Sequence, residues 1–289
     1  MRVPIAIKLP LLPIAAAIVT LFVSGSAHAH EYWFEAGNFF LRPNEVTSVR
    51  LFVGEALRSG SEVPFQASKT NSFQMFTPNG TFDMRTMAED ERKPIVNFSA
   101  DQAGTYVLAM ERGWSYITLE ADKFEAYLKE DGMEYIIAER ERLGETKKQG
   151  RERYSRFIKT ILQVGANRTG NAKSRYGGRL EIVALDNPYA KKIGDTIQFQ
   201  VFFGGAPIGS KTVFADNRDG EAISTQKLVS DKDGKVTVKI DRKGIWLIRL
   251  VHMQRCSRAC GEADWESFWG AFFRGQMMGE MVKVPLRMM

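Results

Sequence analysis

The chain is dominated by short runs of strand-forming residues separated by turn residues. Runs such as DTIQFQVFFGG (195–205) and GKVTVKID (234–241) are rich in β-branched and aromatic residues, and Gly, Asp and Asn stand between them. This spacing is typical of antiparallel sandwiches rather than of alternating strands and helices. We therefore predict a mostly β protein with two β-sandwich-like halves, of immunoglobulin or transthyretin type.

One segment breaks the β pattern. Residues 120–145 are rich in helix formers and are interrupted by Gly132. Phe124, Tyr127 and Leu128 recur there at helical spacing. The pattern predicts two short helices, inserted between the two halves.

The change of pattern gives a domain division. We predict an N-terminal domain at 30–165, which includes the helical segment, and a C-terminal domain at 166–289. The alternation in residues 150–165 favours a strand over a helix. The C-terminal domain ends in the aromatic segment DWESFWGAFF (264–273), expected to pack against the sandwich, and a Met-rich tail.

The first 29 residues have the pattern of a secretory signal peptide. Arg2 and Lys8 precede an apolar run at about 11–23, and small residues follow it. Cleavage is possible after Ala27 or after Ala29. We predict export to the periplasm; the alternative is an uncleaved membrane anchor, for which the apolar run is short.

Charge and motifs exclude several functions. The 40 Lys and Arg exceed the 34 Asp and Glu only mildly and form no basic block, so we predict no nucleic-acid partner. There is no phosphate loop, dinucleotide fingerprint, nucleophile elbow or His-Glu-x-x-His pair. We therefore predict that the protein is not an enzyme.

The leader junction contains two of the three histidines of the chain. Cleavage after Ala29 would give His30 a free amine beside its imidazole, and His252 could add a second imidazole. Such nitrogen donors suit Cu(II) or Ni(II). Cleavage after Ala27 would instead create His28-Ala29-His30, whose nitrogens can surround the same ions in a plane. The alternative is a chance histidine at the cleavage site and a core histidine at His252.

Cys256 and Cys260 are the only cysteines. In an oxidising compartment a close pair favours a disulfide, and free thiols or soft-metal ligands are the alternative. The bond would fix the local shape just after His252.

Five segments together resemble a known family. They are HEYWFE (30–35), KFEAYLKEDGM (123–133), GRERYSRFIKTILQVG (150–165), WLIRLVHM (246–253) and DWESFW (264–269). In order and spacing they resemble exported bacterial proteins that form a domain-of-unknown-function family, described as the periplasmic component of nickel or cobalt uptake systems.

The resemblance implies a β-sandwich, a periplasmic location, nickel or cobalt as cargo and a membrane metal-transport component as partner. It carries over as site candidates His30, His252, Asp264, Trp265 and Glu266. Asp264 or Glu266 would supply a metal-binding carboxylate or a hydrogen bond that orients an imidazole. The cysteine loop and the Met-rich tail depart from the family pattern and leave the preferred metal open.

We therefore predict a periplasmic protein that binds nickel, cobalt or copper for uptake or buffering. One alternative is a metal-free scaffold module that docks a membrane partner. The other is a copper oxidoreductase with the same histidine site.

Overall fold

A computed structural model describes residues 30–257 and 259–275. The predicted signal peptide at 1–29 and the methionines of the predicted tail lie outside the described residues. The described part of the chain is mostly β with two helices, which confirms the predicted fold class. Neither helix is long and apolar enough to cross a membrane.

The strands, in chain order, are β1 (Glu31–Ala36), β2 (Phe40–Leu41), β3 (Thr47–Glu55), β4 (Ser59–Val63), β5 (Thr70–Thr77), β6 (Gly80–Asp83), β7 (Val96–Phe98), β8 (Gly104–Leu119), β9 (Gly150–Val164), β10 (Leu180–Ala184), β11 (Thr196–Phe203), β12 (Ala206–Pro207), β13 (Thr212–Asp219), β14 (Ala222–Val229), β15 (Lys235–Lys239), β16 (Ile245–Arg255) and β17 (Trp265–Arg274). The helices are α1 (Ala121–Glu130) and α2 (Glu134–Arg142), within the segment predicted to be helical.

These strands form three sheets. The central sheet has nine strands, in the order β14-β13-β16-β17-β9-β8-β5-β6, with β2 beside β9. The N-terminal sheet contains β1, β3, β4 and β7, and the C-terminal sheet contains β10, β11, β12 and β15. The two smaller sheets pack on the central sheet and cover most of its apolar side chains.

The central sheet is joined in its middle by the parallel pair β9 and β17. The register runs from Glu152 opposite Trp265 to Ile161 opposite Arg274. Strands from both predicted domain ranges therefore share one sheet. The domain division itself stays a prediction.

The aromatic segment 264–273 forms a strand, which its sequence did not identify. All ten residues of β17 are buried. A strand buried on both faces reads as a continuous apolar run, without the alternation that marks a half-exposed strand. The segment lies in the centre of the sheet.

Successive side chains of β17 point to opposite faces of the central sheet. Phe268 and Phe272 contact Phe203 and Phe199 of the C-terminal sheet, at ring-centroid distances of 4.9 and 5.4 Å. Trp269 points to the opposite face and stacks on Tyr127 of α1 at 5.9 Å. The helices thus cover part of the face of the central sheet that lies away from the C-terminal sheet, and Glu31 of β1 contacts Arg249 on the same face.

The apolar face predicted for α1 is the face that packs against the central sheet. Phe124, Tyr127 and Leu128 are buried and join a cluster with Trp265 and Trp269. Because Gly150 lies directly under the ring of Phe124, α1 approaches β9 closely.

Replacement of Gly150 by alanine tests this close approach. The added Cβ would overlap the buried ring of Phe124. We expect G150A to lower the free energy of unfolding by about 1–3 kcal/mol, measured by urea denaturation. The control is G170A, whose Cβ would meet nothing within 4 Å. An equal loss of unfolding free energy in G150A and G170A would contradict the close packing of Phe124 on Gly150.

Candidate functional site

A cavity of about 400 Å³ opens where the described chain begins. It lies between the start of β1, the end of α1 and the strands β13, β14 and β16. Its lining consists of His30, Glu31, Glu55, Ala56, Arg58, Tyr127, Glu130, Asp131, Phe214, Thr225 and Arg249. We call it the acidic cavity because four of these residues are carboxylates and two are arginines.

A buried ion cluster forms the base of the acidic cavity. The guanidinium of Arg249 contacts the carboxylates of Glu31 at 2.8 Å, Asp131 at 3.1 Å and Asp216 at 2.6 Å. Thr225 donates a hydrogen bond of 2.6 Å to Asp216. Three carboxylates therefore share one guanidinium.

The pKa values in the cluster follow from this imbalance. Burial raises the pKa of Glu31 and of Asp131, although Arg249 opposes the shift for both. Burial alone would lower the pKa of Arg249, but the surrounding carboxylates raise it overall. The base of the cavity thus holds three acidic groups against one guanidinium. This imbalance favours the uptake of positive charge, either as protons on Glu31 or Asp131 or as a bound cation.

The rim adds two exposed carboxylates and His30. Glu55 pairs with Arg58 at 3.3 Å, and both side chains are largely exposed. Glu130 is exposed at the end of α1. His30 is half-buried, and its carbonyl accepts a hydrogen bond of 3.1 Å from Nε of Arg156.

His252 lies in different surroundings. Its side chain is buried, with the ring of Phe203 at 4.3 Å and that of Phe268 at 6.4 Å. Nδ1 lies 3.4 Å from the hydroxyl of Tyr135, which bonds both backbone groups of Met253. The side chain is therefore held in an aromatic pocket.

Cations surround that pocket. Burial, followed by the charges of Lys211 and Arg179, lowers the pKa of His252 to about 3. Lys211 lies over the ring of Tyr135 at 3.8 Å, and Arg179 lies over that of Phe268 at 4.9 Å. His252 is neutral at ordinary pH, but the positive potential around it opposes a metal ion.

The two predicted histidine ligands are not brought together. His252 and Arg249 are three residues apart on β16, so their side chains point to opposite faces of the sheet. His30 lines the cavity of Arg249, whereas His252 contacts Phe203 of the C-terminal sheet. The shared site expected from the sequence would need both imidazoles on one face, so the geometry does not support their pairing.

The carboxylates carried over from the family pattern are engaged in ion pairs. Asp264 accepts two hydrogen bonds from Arg151, at 2.8 and 2.9 Å, and these bonds lower its pKa. Glu266 accepts from Arg153 at 2.5 Å and from Gln254 at 2.6 Å. Trp265, between them, is buried in the cluster under the helices. These contacts fit a structural role.

Cys256 and Cys260 form a disulfide between β16 and β17. With Glu266 they make the one group of three or more potential metal-binding side chains found within 4.8 Å of one another in residues 30–257 and 259–275. Sulfur atoms joined in a disulfide are not thiolate ligands. His30 and His252 belong to no such group.

The sequence reasoning missed the buried ion cluster. Glu31 adjoins His30, but Asp131 and Asp216 are distant in the chain and resemble ordinary helix-end and strand residues. The one available signal was Arg249, a charged residue inside the apolar strand WLIRLVHM. A charge at such a position needs a buried partner.

Comparison with known families matches residues 27–254 to a family model described as "Domain of unknown function (DUF4198)". The chain belongs to this family. The matched range includes the whole acidic cavity and ends just before the disulfide. No curated protein matches.

Two solved structures show distant likeness. The D0-D1 domain of intimin is 11% identical, with 85% of this chain and 97% of that chain covered and a TM-score of 0.20. The three N-terminal domains of the Hoc capsid protein of bacteriophage RB49 are 10% identical, with 84% and 59% covered and a TM-score of 0.16. TM-scores this low support no conclusion about this DUF4198 protein.

The depressed pKa of His252 predicts a loss of stability in acid. Below pH 6.5 the unfolded chain gains a proton at this residue, whereas the folded chain gains it only near pH 3. As the pH falls from 7.5 to 5, His252 should therefore lower the free energy of unfolding by roughly 2 kcal/mol. Urea denaturation at both pH values should show that the free energy of unfolding falls less on acidification in His252→Leu than in the wild type. An NMR imidazole signal that titrates near pH 6.5 in the folded wild type and is missing from His252→Leu would contradict the prediction.

Proposed function

We propose that this protein binds a divalent transition-metal ion in the acidic cavity, as cargo for uptake or buffering in the periplasm. The observation that carries the proposal is the excess of carboxylates over cations in a cavity that also contains His30. Nickel, cobalt and copper are the candidate ions.

The donor types at the cavity fit these ions. After cleavage behind Ala29, the amine and Nδ1 of His30 would form a nitrogen chelate, and nitrogen donors suit Ni(II), Co(II) and Cu(II). Glu130 at the rim offers carboxylate oxygens. Glu55 offers them too, because its ion pair with Arg58 is exposed and therefore weak. The buried cluster around Arg249 supplies negative potential beneath them.

This proposal revises the ligand set expected from the sequence. It retains His30 and replaces His252, Asp264 and Glu266 by carboxylates of the cavity. His252 is surrounded by cations, and the two acidic residues already pair with arginines. A metal ion would meet less repulsion at the acidic cavity than at any of these three residues.

Export is part of the proposal. The leader pattern at 1–29 supports it, and a disulfide is compatible with an oxidising compartment. We further propose that a membrane metal-transport component receives the ion, as implied by the resemblance to nickel and cobalt uptake proteins. Nothing in this role requires catalysis.

Metal titration of the processed protein tests the proposal. Intact mass first establishes that His30 is the first residue, and calorimetry with Ni(II), Co(II) and Cu(II) then gives affinity and stoichiometry. We expect His30→Ala to weaken binding by at least about tenfold, because the imidazole is lost and the remaining α-amine can no longer close a chelate ring. Glu130→Gln should weaken it by a smaller factor.

Two controls separate the cavity from other sites. His252→Ala removes the other imidazole and should leave the affinity unchanged. Glu141→Gln removes an exposed carboxylate of α2 that does not line the cavity. Equal affinity in the wild type and in His30→Ala would refute the cavity site, and a loss in His252→Ala would restore the pairing expected from the sequence.

A further inference from the structure

A second site is indicated by buried polar atoms that lack hydrogen-bond partners. Seven such side-chain atoms occur among the described residues. Five of them belong to three residues: Oδ1 of Asn217, Nε1 of Trp246, and Nε, Nη1 and Nη2 of Arg274. Such atoms are few in native proteins, and a concentration of them requires a physical explanation.

The three residues are neighbours across three strands. Asn217 of β13 lies directly opposite Trp246 of β16, and Trp246 lies directly opposite Arg274 of β17. Directly opposed residues in antiparallel strands point to the same face, with Cβ atoms about 4.5–5.5 Å apart. We call these residues the polar row.

The polar row lies inside the molecule, between the central and C-terminal sheets. Phe272, two residues before Arg274 on the same face, contacts Phe199 of the C-terminal sheet at 5.4 Å. Each member of the row is at most 1% exposed. Bulk solvent therefore does not solvate these groups.

Arg274 brings a charge into this interior. Its guanidinium lies 5.9 Å from the ring centroid of Tyr189, and no acidic residue in the described part of the chain forms an ion pair with it. Burial lowers its pKa to about 10, so it remains charged at neutral pH. A buried charge without a counter-charge costs several kcal/mol.

Ordered water alone would not remove that cost. Water can satisfy N–H groups and the Asn217 oxygen, but it adds no negative charge. The amide of Asn217 is oriented by two hydrogen bonds of 3.0 Å from Nδ2 to the carbonyls of Lys243 and Ile245. Its oxygen is left without a donor, and a water molecule could supply one.

We propose that the polar row is a binding site for a small inorganic monoanion, of which chloride is the test case. Arg274 and Trp246 donate hydrogen bonds to the anion, and a water molecule links it to Oδ1 of Asn217. The site is distinct from the acidic cavity in both position and sign of charge.

Thermal unfolding in different salts tests the anion. The full processed chain is measured with a metal chelator present, in sodium chloride and in sodium gluconate of equal ionic strength, because gluconate is too large for a buried site. We expect chloride to raise the Tm by roughly 3–5 °C for each tenfold increase above its Kd. Equal Tm values in the two salts would overturn the proposal.

Variants assign the effect to Arg274. Arg274→Met should abolish the chloride-dependent rise, whereas the exposed Arg50→Met should retain it. If Arg274→Met does not fold, Arg274→Lys keeps the charge and should show the rise at higher chloride concentration. If Arg274→Lys or Arg274→Met shows the same rise in Tm as the wild type at the same chloride concentrations, the assignment of the effect to Arg274 is overturned.

Fluorescence quenching tests whether the anion lies beside Trp246, without destabilising the protein. Iodide quenches an indole on contact, and Trp246 is buried from bulk solvent. We expect saturable iodide quenching that chloride competes away and that Trp246→Phe removes. Absence of this saturable component would overturn the proposal.

The competing source of negative charge is a carboxylate of the chain itself, such as that of Glu280, outside the described residues. In that case Glu280→Gln would lower the Tm and the wild type would not respond to chloride. That result would replace the anion by an internal ion pair. A chloride response that persists in Glu280→Gln supports the anion.

Discussion

The parallel pairing of β9 with β17 is the constraint on which the rest of the molecule depends. It joins the hairpin of β16 and β17 to β8 and β9, so that a single sheet runs through the protein. The C-terminal sheet packs on one face, and the helices pack on the other. The acidic cavity, the His252 pocket and the polar row are all defined by residues of β16 or β17.

The alternation of side chains along β16 separates opposite electrostatic environments over a few residues. Arg249 faces three carboxylates on one side, whereas His252 faces aromatic rings and the cations Lys211 and Arg179 on the other. A sheet is one residue thick, so this separation needs no additional structure. It is the reason that we place the proposed metal site at His30 and not at His252.

Local sequence patterns predicted local structure well. The turn residues and β-branched runs predicted the mostly β fold. The spacing of Phe124, Tyr127 and Leu128 predicted the helical segment and its buried face. The same reasoning could not recognise β17, because a strand buried on both faces has no alternation. It also could not bring Glu31, Asp131, Asp216 and Arg249 together, because strand order is set by long-range pairing that no local pattern records. The predicted site residues were therefore chosen for their type, and the geometry separates His30 from His252.

The position of β17 in the chain has a consequence for how the protein acquires its fold. Among the described strands it comes last, yet it fills the middle of the central sheet. Until residues 265–274 are available, β16 lacks a partner on one side and most of β9 has an open edge. Open apolar edges are templates for pairing with other chains. A chain that ends before β17 would therefore be a nucleus for aggregation. Under the proposed export, the core could not be completed until residues 265–274 had crossed the membrane.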